Sequence, residues 1–186
     1  MDIFEIIETY NPRWTERETA AIAVLLGLAV VLGICLLKTH KIRLSQAVVG
    51  FLLLIYLILV FGTTVLTRKP GRRRFQLELF WSWKEILKPE GRTGSVTRGG
   101  LLLENLLNIA LLFPAGILLA MVWGRRLRWY QGLIFGLAVS MVIEVFQLVL
   151  CRGLFEFDDI IHNGLGCMIG TLMGNLAVKK TSGLSR

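Results

Sequence analysis

Long apolar runs dominate the chain, without the period-2 alternation of half-buried strands. Five stretches, 19–37, 44–66, 101–123, 131–150 and 159–178, approach the roughly 20 apolar residues that a helix needs to cross a bilayer's hydrocarbon. The pattern predicts an all-α membrane protein: one membrane domain over 1–186, built as a five-transmembrane-helix bundle behind a polar N-terminal arm at 1–18. The loop 67–100 carries a further signal. Leu79, Phe80, Trp83, Ile86 and Leu87 fall on one stripe at ~100° per residue, with Lys84, Glu85 and Lys88 opposite. That is the signature of a short helix lying in the membrane interface, a depth that suits the half-polar rings of Trp81 and Trp83. Pro89 and the stretch from Gly91 to Gly100 then read as a flexible lead into the third span.

Composition supports this reading, since 54% of residues are hydrophobic and only 18% charged. Asp2, Glu5, Glu8, Glu16 and Glu18 face only Arg13 and Arg17 near the start, so the basic leader of a cleavable signal peptide is missing and the first span is expected to stay. Cys35, Cys151 and Cys167 are single, which points to neither a disulfide framework nor a zinc site. The net charge of +8 flanks spans, as expected for contact with anionic headgroups and not for nucleic-acid binding.

Charge also suggests an orientation. Lys38, Lys41, Arg43, Arg125, Arg126, Arg128, Lys179, Lys180 and Arg186 sit in short segments on one side without an acidic residue. The positive-inside rule makes that side cytoplasmic and the N-terminus external. The 67–100 loop opposes it with nine cations against Glu78, Glu85 and Glu90, but the inside charges are denser and abut span ends.

Polar residues inside the spans carry the candidate chemistry. Glu104, Asn105 and Asn108 lie in the first turns of the third span, Ser140, Glu144 and Gln147 in the last turns of the fourth, and Asp159 and Asn163 one turn apart in the fifth. Such groups are expensive in lipid and face a partner or a wet cavity. Three helices would therefore present polar faces at one level near the outer surface. Gly132, Gly136 and Ser140, and Gly166, Gly170 and Gly174, recur at four-residue steps and should let backbones approach closely. Pro114 and Gly116 should kink or loosen the third span. Between spans four and five, Arg152 stands near Glu156, Asp158 and Asp159, an arrangement suited to an ion pair and to capping of the following helix. His162 adds no metal-binding spacing, and neither metal nor cofactor is expected.

These residues, in this order, resemble the VanZ family of bacterial membrane proteins. The matching elements are Asn105 and Asn108, Pro114 and Gly116, Ser140 with Ile143-Glu144 and Gln147, then Arg152, Asp158-Asp159, and Asn163 with Gly166 and Gly170. The resemblance covers 98–176. It departs at Cys151, where the family usually has glycine, in one extra residue before the Asp pair, and at Gly164, where threonine often stands. It implies a Gram-positive cytoplasmic-membrane protein associated with reduced sensitivity to teicoplanin-type glycopeptides, and brings no catalytic residue. The leading reading is an outer-leaflet polar site of Asn105, Asn108, Glu144, Gln147, Arg152, Asp158, Asp159 and Asn163. Its ligand would be an anionic amphiphile, either a lipid-linked wall precursor or lipoteichoic acid, with Arg72, Arg73, Arg74 and Arg152 suited to the headgroup. Plain helix-to-helix hydrogen bonding would use many of the same residues. An enzyme on an envelope lipid, with Glu144 or Asp159 as general base, is one alternative, and a small transporter is another.

Overall fold

Among the described residues of this computed structural model, 15–88 and 97–183, six helices and one pair of short strands form the chain. Most of the polar arm, most of the Gly91 to Gly100 stretch, the side chains after Val178 and residues 184–186 lie outside the description. Helix α1 (Glu16–Lys38) opens with a capping box: Thr15 Oγ1 accepts from the Glu18 amide while the Glu18 carboxylate accepts from that of Thr15. Helix α2 (Leu44–Phe61) widens into a π turn at Gly62–Leu66. There the hydroxyls of Thr63, Thr64 and Thr67 bond back to carbonyls one turn earlier. Strand β1 (Arg74–Gln76) and the seven-residue helix α3 (Trp81–Leu87) follow, then α4 (Arg98–Trp123), α5 (Trp129–Val149), strand β2 (Leu154–Glu156) and α6 (Phe157–Gly183).

The strands pair in parallel, with Arg74 opposite Leu154, Phe75 opposite Phe155 and Gln76 opposite Glu156. This pair was not expected, because three residues are too few to display an alternating pattern. It has a clear consequence: the basic loop after α2 is fastened to the segment between α5 and α6.

Helix α6 is the centre of the bundle and packs chiefly on α4 and α5. Its glycines explain why. A side chain at Gly166 would meet the carbonyl oxygen of Ile109, and one at Gly170 that of Phe113, so α6 lies almost backbone to backbone on α4. On its other side Gly132 and Gly136 of α5 receive Thr171 and Cys167. The two glycine steps therefore do not face one another. Each serves a different neighbour of α6. Helix α4 stays continuous through Pro114, and the nearby carbonyl of Leu111 accepts the Tyr56 hydroxyl at 2.7 Å. Gly124, in the left-handed region, ends α4 and turns the chain into α5. Leu53, Val60, Leu112, Ala115, Leu119, Ile143 and Cys167 fill the core between α2, α4, α5 and α6.

Among the described residues four helices are long and apolar enough to cross a membrane: α1, α2 with its π turn, α4 and α5. The chain is thus a multi-pass membrane protein. Helix α6, expected as a fifth span, is not among the four, since His162, Asn163, Thr171, Asn175 and its glycines lower its hydropathy. The reason is its place in the bundle, where protein covers most of its polar side chains. It nevertheless runs the bundle's length: Asn108 bonds to Asp159 near one end, and Asn175 bonds both the amide and the carbonyl of Leu127 at the other.

Candidate functional site

One end of the bundle gathers the start of α1, the end of α2, the start of α4, the end of α5 and the start of α6. Because α2 stops at Leu66, its last carbonyls lack helical partners. Thr64 O accepts from Gln147 Nε2 at 3.1 Å and Leu66 O from Arg152 Nη1 at 2.9 Å. Arg152 also lies 3.6 Å from the Glu18 carboxylate. The ion pair expected within the loop is therefore made elsewhere, to α1 and not to Asp158 or Asp159.

Asp158 caps a helix, though not its own. It is buried, and its carboxylate accepts the Phe80 amide at 2.5 Å, the Ser82 amide at 3.2 Å and the Ser82 hydroxyl at 2.8 Å. These are donors without a helical partner at the start of α3, where Phe80 takes the left-handed conformation. Asn105 Nδ2 donates to the same Ser82 hydroxyl, and Trp83 Nε1 donates to His162 Nε2 at 2.8 Å. Helix α3 is thus bolted to the bundle by a polar chain, while Leu79, Phe80 and Leu87 of its apolar stripe stay exposed.

Glu144 accepts the Glu156 amide at 3.0 Å, and Asn163 Nδ2 donates to Ser140 Oγ at 2.8 Å. Of the eight residues expected to bind a ligand, Asn105, Glu144, Gln147, Asp158 and Asn163 are buried and engaged inside the protein, and Asn108 holds Asp159. Arg152 and Asp159 reach a cavity of about 650 Å³. Beside them it is lined by Arg68, Lys69, Arg72, Arg74, Glu104 and Glu156. Glu156 and the cations at 68 and 69 were not picked from the sequence as site residues. Their signal was the basic run after the second span, and only the β1–β2 pairing shows which acids that run faces.

Glu156 is 6% exposed; its Oε1 completes no hydrogen bond, and the Trp81 indole beside the carboxyl leaves its Nε1 unpaired as well. Burial pushes its carboxyl up to about 7, with the carboxylates of Asp159 and Glu104 adding to the effect. Chemically, the cavity offers guanidinium groups that can fork onto phosphate or carboxylate, set against acids that can hold a cation or a proton. Among the described residues no group of His, Cys, Asp and Glu has the geometry of a metal site.

A family model described as VanZ/LLP1 matches residues 47–178. The chain belongs to the VanZ/LLP1 family. The match reaches further towards the N-terminus than the motif residues at 98–176 and takes in α2, whose end supplies the carbonyls that hold Gln147 and Arg152. No curated protein and no solved structure matches the chain.

The departure from VanZ-like sequences at Cys151 now has a physical meaning. Cys151 has φ +55°, a backbone conformation that favours glycine, and its carbonyl accepts the Gly71 amide at 2.6 Å. Cys151→Gly should stabilise the purified protein by about 1 kcal/mol, the relief of left-handed strain less glycine's entropy cost, read as a higher melting temperature in detergent. An unchanged or lower value would show that residue 151 carries no backbone strain.

Proposed function

We propose that this VanZ-like protein holds the anionic headgroup of an amphiphilic envelope component in the cavity between the 68–74 segment and the acidic bundle end, and thereby lowers sensitivity to teicoplanin-type glycopeptides. The component is a lipid-linked wall precursor or lipoteichoic acid. The observation that carries this is the convergence of Arg68, Lys69, Arg72, Arg74 and Arg152 on one cavity. An apolar cleft of about 430 Å³ between α1 and α2, lined by Ile22, Leu25, Leu54 and Phe61, supports an amphiphile. It starts at Glu18 and Leu66, the two residues that Arg152 touches. A ligand with its head in the cavity has an apolar path for its chain.

In this reading α6 is the fifth crossing, α3 lies at the interface, and the cavity faces outwards in the cytoplasmic membrane of a bacterium, with the C-terminus inside. Arg72→Gln combined with Arg74→Gln should weaken binding of dioleoyl phosphatidylglycerol to the purified protein by about tenfold or more. It should also restore teicoplanin sensitivity at unchanged protein level. Full tolerance and full lipid binding in that variant would sink the proposal. The alternative of an enzyme on an envelope lipid is favoured by one observation: Asp159, unlike Glu144, lines the cavity beside Arg68 and Arg152. Release of a soluble headgroup from a bound lipid, abolished by Asp159→Asn, would decide for it.

A further inference from the structure

The cavity is lined by both charges. Arg68, Lys69, Arg72, Arg74 and Arg152 share its wall with Glu104, Glu156 and Asp159. Among the described residues no salt bridge joins the two sets, and the one that Arg152 makes leaves the cavity for Glu18. The chain itself helps to keep them apart. Asp159 is held by the Asn108 amide, Glu156 is fixed in β2 by the bond from its own amide to Glu144, and Arg152 is fixed by the Leu66 carbonyl.

A headgroup with negative charge alone would gain from the arginines and be repelled by three acids across the same space. A purely cationic one meets the reverse problem. Glu156 adds a sharper requirement. Glu156 lines the cavity, and its buried Oε1 completes no hydrogen bond: the Trp81 indole beside the carboxyl has its Nε1 unpaired too, whereas buried acceptors in folded proteins are nearly always satisfied. A primary ammonium brings three N–H donors and a positive charge to that position.

We infer that the cavity selects a zwitterionic headgroup, with a phosphate held by Arg72, Arg74 and Arg152 and a primary ammonium held by Glu104, Glu156 and Asp159. The inference rests on the headgroup site proposed above and names the chemical class that the site takes. Phosphoethanolamine lipids and aminoacylated polyol phosphates share this chemistry. The ammonium would also draw the Glu156 carboxyl back from about 7 towards its ionised form.

The test uses the full chain in detergent, titrated with dioleoyl phosphatidylethanolamine, phosphatidylglycerol and phosphatidylcholine and read by native mass spectrometry. Phosphatidylethanolamine should bind about tenfold more tightly than phosphatidylglycerol. Phosphatidylcholine, whose trimethylated nitrogen has no N–H, should lose that advantage. Glu104→Gln, at an exposed position, should narrow the preference severalfold, and adding Asp159→Asn should remove it while leaving phosphatidylglycerol bound. Competition by glycerophosphoethanolamine would assign the preference to the headgroup alone, and failure to compete would assign it to the whole lipid. Either keeps the charge pattern. Equal binding of phosphatidylethanolamine and phosphatidylglycerol, still weakened by Arg72→Gln with Arg74→Gln, would overturn the zwitterion and leave the anion site standing. Equal binding of all three lipids, indifferent to the arginines, would remove both.

Discussion

Asp158→Ala is expected to detach helix α3 from the bundle and to empty the cavity of its ligand, although the substituted residue does not line that cavity. The carboxylate accepts three hydrogen bonds at the start of α3, from the Phe80 amide and from the amide and hydroxyl of Ser82. Bonds to an ionised acceptor are worth roughly 1.5–3 kcal/mol each. Removing the acceptor leaves buried donors without a partner, so a loss of about 3 kcal/mol or more is expected at this contact. What remains to hold α3 is the Trp83 to His162 bond, the Asn105 contact to Ser82 and the bond from Arg98 of α4 to the Lys88 carbonyl. Since β1 precedes α3 in the same connection and pairs with β2, release of α3 should loosen the basic segment too. Hydrogen exchange of peptides covering 74–88 should rise strongly in Asp158→Ala and moderately in Asp158→Asn, which keeps one acceptor oxygen. Wild-type protection in both variants would show that Asp158 does not anchor α3.

This role illustrates what the sequence made legible. The apolar runs set the helices, because burial in lipid leaves a signal nearly as long as the helix itself. The polar positions 104–108, 140–147 and 158–163 were legible as a shared level, since depth along a helix follows from counting residues. Their partners were not. Asp158 looks like a cap for the helix it starts, and only the fold shows that it caps α3, far away in the chain. Arg152 looks like the counter-ion of the nearby acids, yet Glu18 from the start of α1 and the Leu66 carbonyl take it. Helix α6 shows the converse. Its polar and glycine content left it outside the four helices apolar enough to span, and that same content marks it as the helix on which α4 and α5 both pack. Hydropathy measures exposure to lipid, which the central helix of a bundle has least of.

Gly170→Val should prevent stable folding, whereas Gly33→Val should leave the melting of the protein unchanged. In lipid, helices gain little from hiding apolar surface, so close backbone packing decides which pairs associate. At Gly170 a Cβ would collide with the Phe113 carbonyl oxygen and crowd the Ile117 amide, atoms of α4's backbone that cannot rotate away. Gly166 and Gly174 meet α4 in the same manner at Ile109 and Ile117, so pushing the helices apart at one step weakens all three. Overpacking of this kind costs about 1–3 kcal/mol for a small group that neighbours can accommodate. Backbone on backbone offers no such accommodation, and valine adds two methyls beyond the first carbon. Gly33, in α1, has nothing within 4 Å of its added carbon, so the same substitution there tests valine in a helix without the collision. Gly170→Ala should fall between, with a clearly lower melting temperature in detergent. Because α6 carries Asp158 and Asp159, its displacement from α4 would also part Asn108 from Asp159 and open the cavity floor. Gly170→Val melting together with Gly33→Val and the wild type would show that α4 and α6 do not approach as closely as the glycine ladder requires.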